Sequence, residues 1–130
     1  GVPAAKLGLG YGYGGIKVLM NLVGPSMAKE IFFTGRRFSA DEAYDMGLIN
    51  RVVEVDELDR FTSDYADTVA ANAPLTLKSC KKIIAEILKD PDRRDYETCK
   101  QFVDDCFASE DYKEGVQTFI EKRKPLFRGR

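Results

Sequence analysis

From Asp56 to the end of the chain, apolar residues recur at the three- and four-residue spacing of a helix, and this repetition constrains the fold more than any single motif does. Leu58, Phe61, Tyr65, Ala66 and Val69 form the first stripe, and Leu77, Cys80, Ile83, Ile84, Ile87 and Leu88 the second. Tyr96, Cys99, Phe102, Val103, Cys106 and Phe107 form the third, and Tyr112, Val116, Phe119 and Ile120 the last. Side chains at this spacing share one helix face, so each stripe predicts an amphipathic helix whose apolar side must be covered, by a core or by another subunit. The breaks fit. Asn72-Ala73-Pro74 separates the first two stripes and puts proline in a first helical turn, where its missing N–H costs little, while Asp90-Pro91 closes the second. Asp111 and Glu114 predict a capping box at the start of the last helix.

The first 53 residues have a different texture. Gly8 to Gly15 alternates glycine with larger residues, which predicts a loop, because neither helix nor strand tolerates that density of glycine. Such a loop lets backbone N–H groups approach a ligand, or lets the chain pack tightly under a helix; as a dinucleotide fingerprint it is weak, since no apolar strand precedes it. Ile16, Leu19, Met20, Leu22 and Val23 then predict a helix that Gly24-Pro25 stops, followed by a short helix capped by Ser26 and ended by Gly35. Ser39-Ala40-Asp41-Glu42 is a capping box for a helix that Gly47 terminates. Leu48 to Val53 is β-rich and reads as a short strand or an extended link. Gly1-Val2-Pro3 reads as the middle of a structure, which suggests a fragment or a processed chain.

Composition removes several classes of function. Twenty basic residues against twenty-one acidic ones leave a net charge of -1, with no like-charge block beyond Lys122-Arg123-Lys124, so no nucleic-acid partner is expected. Apolar runs such as Ile31-Phe32-Phe33 fall far short of the roughly 20 residues of a membrane span, and the chain reads as soluble, with no membrane partner. There is no histidine, which excludes Ser-His and Cys-His nucleophiles, an HExxH zinc site and a histidine base from this stretch. Cys80, Cys99 and Cys106 form neither a CxxC pair nor an even set, so reduced thiols and no metal are expected. Carboxylates, tyrosines and backbone are left to do any chemistry.

The motifs are most informative in their order. Pro3-Ala4-Ala5-Lys6-Leu7-Gly8-Leu9, the glycine segment to Gly15, Leu22-Val23-Gly24, Ala28-Lys29-Glu30, Thr34-Gly35, Ala40-Asp41-Glu42-Ala43, Gly47-Leu48-Ile49-Asn50 and Val52-Val53 run colinearly into Glu110-Asp111-Tyr112-Lys113-Glu114-Gly115 and Phe119-Ile120-Glu121-Lys122-Arg123-Lys124-Pro125. Each is weak alone. Together, over nearly the whole chain, they resemble the C-terminal half of a crotonase-superfamily subunit, the enoyl-CoA hydratase/isomerase family. The resemblance implies an α+β, α-rich fold: the last part of a ββα spiral with its active-site loop over residues 1–53, then a helical trimerisation region over residues 54–130. It also implies an acyl-CoA thioester as ligand, with coenzyme A part of the substrate and no separate cofactor. The assembly would be a homotrimer or dimer of trimers, in the cytoplasm or, for a eukaryotic source, the mitochondrial matrix.

For the site, the resemblance implies an oxyanion hole of two backbone N–H groups, both upstream of this segment, that stabilises an enolate. Hydratases of the family add two glutamates, one upstream and one directly after the proline matching Pro3. Here that position is Ala4. Alanine carries no proton, and a general acid is worth about 10²–10⁴ in rate, so hydration is expected to be slow or absent. Gly12 matches the glycine whose N–H orients the catalytic water, with Tyr11 where proline is usual. Pro3, Ala4, Leu7, Leu9, Tyr11 and Tyr13 would line the acyl site, the two tyrosines by packing rather than by acid catalysis. Lys122 aligns with the lysine that contacts the coenzyme A phosphates, with Arg123 or Lys124 able to assist. A solvated cation favourably placed on a helix dipole is the plainer reading of the same residue. Two functions follow: an enzyme working through an oxyanion-stabilised enolate, or a non-hydrating CoA-binding or assembly module that has lost its acid.

Overall fold

Residues 1–130 are described by a computed structural model, and its regular structure is entirely helical. The helices are α1 (Ala4–Leu7), α2 (Tyr13–Thr34), α3 (Ala40–Asp45), α4 (Leu58–Ala70), α5 (Pro74–Ile87), α6 (Tyr96–Ala108) and α7 (Glu110–Glu121), with single 3₁₀ turns at Val55–Glu57 and Pro91–Arg93. The chain divides into two compact units, Gly1–Leu58 and Asp59–Arg130. The expectation of an α-rich fold holds. Of the two readings of Leu48 to Val53, the extended link is the one present, for no strand lies alongside to pair with it.

In the first unit α2 dominates. It begins at Tyr13, so Gly14 and Gly15 are helical and the expected loop ends earlier, at Gly12. Gly24 breaks the helix where the sequence placed a stop, with φ 76° and ψ 165°, a backbone state almost confined to glycine. The chain leaves the helix for that one residue only: Pro25 supplies a first-turn residue that needs no N–H partner, and a second helical stretch begins at once. The second helical stretch expected from the sequence is thus present after the Gly24 kink, with Ser26 in its first turn instead of at its cap. Gly35 ends it in the left-handed region, its N–H donating to the Ile31 carbonyl at 3.2 Å. Beyond it, Arg36 pairs with Glu30 at 2.9 Å and Glu42 at 2.8 Å, and stacks 3.7 Å from the Phe38 ring centroid, tying the end of α2 to the start of α3. The capping box of α3 is complete: Glu42 N–H donates to Ser39 Oγ at 3.1 Å and Ser39 N–H to Glu42 Oε2 at 2.8 Å. Those bonds, the Ser39 N–H first and then Arg36, hold the Glu42 carboxyl below its ordinary pKa.

In the second unit α5 packs on α6 and α6 on α7. Asp95 caps α6 through the Thr98 N–H at 2.8 Å. The cap of α7 is Ser109, which accepts the Tyr112 N–H at 3.0 Å, so the capping box expected from Asp111 and Glu114 does not form. Those two carboxylates face the tail instead. Asp111, only 4% exposed, accepts the N–H groups of Arg128 and Gly129, each at 2.7 Å. Glu114 grips Arg123 with both oxygens, at 2.7 and 2.9 Å, and accepts the Leu126 N–H at 2.9 Å. The segment after α7 thus doubles back along its own helix, with the Phe127 ring over Gly115.

Candidate functional site: the glycine segment at the start of α2

Pro3 precedes the single turn of α1, and Gly8, at φ 65°, reverses the chain so that the Leu9 N–H meets the Ala4 carbonyl at 3.0 Å. The Lys6 stem and the Pro3 backbone lie over Gly35 so closely that a Cβ there would come within 3.3–3.4 Å of them. That seat buries Ala4, which is 6% exposed. Leu7, Leu9 and Tyr13 remain open, at 66%, 61% and 79% exposure. Tyr11 is different: its ring packs on the chain, 4.8 Å from the Phe32 ring centroid at a 56° tilt, and over Gly15, whose hypothetical Cβ would sit 2.7 Å from Tyr11 Cε1.

Gly12 is the N-cap of α2, in extended conformation with φ −72° and ψ 150°, and its carbonyl takes the Ile16 N–H at 3.2 Å. A Cβ built on Gly12 or Gly14 would touch nothing within 4 Å, so the space over this backbone is open. The first N–H groups of a helix have no intrahelical acceptor and carry its partial positive charge, and the first turn of α2 holds no acid to neutralise it. Such an end can hold a water or favour a developing oxyanion. Of the residues assigned from sequence, Pro3, Ala4, Leu7, Leu9, Tyr11, Gly12 and Tyr13 therefore lie together on one stretch of the first unit, Ala4 inside and the others at its surface.

Lys122 belongs to the second unit. It caps the C-terminal end of α7 in the left-handed conformation, φ 55° and ψ 38°, with its N–H on the Thr118 carbonyl, and its side chain is exposed. Helices commonly place glycine there, and a left-handed L-residue costs about 1–2 kcal/mol. Arg123, which the sequence suggested as its helper, is paired with Glu114 and Glu121, which raise its pKa. No group of three or more acidic, cysteine or histidine side chains gathers to bind a metal, no helix is long and apolar enough to cross a membrane, and all three cysteines are unpaired. Two features escaped the sequence reading: the Tyr11–Gly15 contact, for which the four-residue spacing was the available signal, and the role of Asp111, for which local sequence carried none.

The family model for enoyl-CoA hydratase/isomerase matches residues 1–130. A short-chain-enoyl-CoA hydratase of Clostridium acetobutylicum is 38% identical over 128 residues, 95% of this chain and 48% of that protein. A carnitinyl-CoA dehydratase of Salmonella typhi is 36% identical over 133 residues, 99% of this chain and 51% of that protein. The chain spans about half the length of the curated relatives it matches. Among solved structures, an enoyl-CoA hydratase/carnithine racemase from Magnetospirillum magneticum superposes with a TM-score of 0.84 at 36% identity, covering 100% of this chain and 48% of that one. An enoyl-CoA hydratase from Bacillus anthracis gives 0.84 at 34%, covering 98% and 50%.

Proposed function

The chain belongs to the enoyl-CoA hydratase/isomerase family, and on that premise we propose that the intact protein binds an acyl-CoA thioester and processes it through an enolate. The single observation that carries this reading is the Gly12 end of α2, an uncapped helix N-terminus with open space above its backbone. There the Gly12 N–H would orient water or substrate, while Pro3, Leu7, Leu9 and Tyr13 offer apolar surface to the acyl chain. The dipole of α2 would favour negative charge growing on the ligand. Lys122 would meet the coenzyme A phosphates. No cofactor beyond the coenzyme A of the substrate is needed. Exposed apolar faces, such as Phe119 at 88% and Ile120 at 69%, support a trimer or dimer of trimers built through residues 54–130. Unpaired thiols fit the cytoplasm or mitochondrial matrix as the working compartment.

Ala4 favours a second reading, a CoA-binding or assembly module without hydration. Hydration puts oxygen on the β-carbon and a proton on the α-carbon, and the methyl of Ala4 has no proton to give. Crotonyl-CoA hydration by the intact protein, wild type and Ala4→Glu, separates the two. The account expects little turnover in the wild type and a gain in the variant. Wild-type turnover equal to that of two-glutamate hydratases would refute the loss of the acid.

A further inference from the structure

We propose that Tyr11 is a positioning residue for the Gly12 N–H, its ring acting as the clamp that holds the glycine segment on α2. Three of the five residues from Gly8 to Gly12 are glycine, the residue that loses most conformational freedom on ordering, so this backbone keeps a fixed direction only if something outside it supplies the restraint. The Leu7 and Leu9 side chains are largely in solvent and supply little. Tyr11, directly before Gly12, is the side chain that reaches back onto the helix: its ring tilts against Phe32 at 4.8 Å and covers Gly15.

The contact with Gly15 is specific. A Cβ at neighbouring Gly14 would meet open space, whereas one at Gly15 would stand 2.7 Å from Tyr11 Cε1 and 3.2 Å from Cδ1. Glycine at 15 thus makes room for this ring, one helical turn after the backbone that the ring restrains. Where the family pattern has proline, whose own ring fixes φ, this chain achieves the same stiffness by packing. The inference rests on the acyl-CoA reading for what the N–H does, but the clamp itself can be measured without it.

Two arms test it on the intact protein. With selective ¹⁵N-glycine labelling, the order parameter of Gly12 should be near the rigid value of about 0.85 in wild type and in Tyr11→Phe, which keeps the ring, and should fall below about 0.6 in Tyr11→Ala. Gly15→Ala should lower the thermal midpoint when Tyr11 is present and raise it in the Tyr11→Ala background, where alanine's helix preference acts unopposed. In the second arm, Tyr11→Ala should weaken crotonyl-CoA binding about tenfold relative to free coenzyme A, because only the thioester end meets Gly12. A purely structural role would weaken both ligands alike. An unchanged Gly12 order parameter in Tyr11→Ala, a Tyr11→Phe variant as loose as Tyr11→Ala, or the same sign of Gly15→Ala in both backgrounds overturns the clamp. If wild type fails to bind crotonyl-CoA while the first arm holds, the functional reading falls and the clamp stands.

Discussion

Lys122 stands in a backbone conformation that costs an L-residue free energy, at a helix end where glycine would relieve the strain. Strain kept at one residue points to a use for its side chain, and a phosphate contact is the use that the family pattern implies. The two demands can be separated. Lys122→Gly should raise stability by about 1 kcal/mol, read as a higher denaturation midpoint with unchanged slope. The same change should weaken coenzyme A binding about tenfold, less in high salt, and leave a pantetheine thioester, which lacks the nucleotide phosphates, unaffected. A stabilised variant with undiminished affinity for coenzyme A would leave Lys122 as a solvated helix end. Ala4 shows the opposite economy: a small, buried side chain that matters to the proposed function through the acid it would replace.

At the scale of elements, the kink in α2 and the strap over α7 carry the sharpest expectations. Gly24→Ala meets no steric obstacle, since nothing lies within 4 Å of its Cβ, so its cost is that of the backbone state alone, about 1–3 kcal/mol by chemical denaturation. In the strap, Arg123 and then the Leu126 N–H pull the Glu114 carboxyl down to about 2 from 4.5. A depressed carboxylate contributes its stability above the unfolded value and loses it on acidification, so the Glu114 contribution should be complete above pH 4.5 and vanish on the way to about pH 2. Thermal midpoints should show it: wild type should lose more than Glu114→Gln across that window, and parallel curves would exclude the effect. The helices themselves were legible from sequence, because periodicity, Ser39, Pro74 and Gly35 are local signals of faces, starts and stops. The tail was not. A spacing of three made Asp111 and Glu114 look like a cap, yet Ser109 took that place and freed both acids for residues nine to eighteen positions on. Nor was the full reach of α2 legible, since the ring that fills the space over Gly15 comes from outside the helix.

At the scale of the whole chain, large apolar side chains stay exposed on two helices. The side of α4 that carries Leu58, Phe61, Tyr65 and Val69 has no buried residue, and α7 leaves Val116, Phe119 and Ile120 open around an apolar groove of about 640 Å³ bounded also by Val103 and Phe107. The proposed assembly would cover these faces with other subunits. Light scattering on the intact protein should therefore give the mass of three or six subunits at micromolar concentration, and a stable monomer would contradict the proposed assembly. The proposed function stands on ligand binding, so ligand recognition tests the account more directly than mass does. That measurement is calorimetric titration of the intact protein with crotonyl-CoA. The account predicts saturable binding at one site per subunit, weakened by Lys122→Ala; heats no larger than dilution up to millimolar ligand would contradict it.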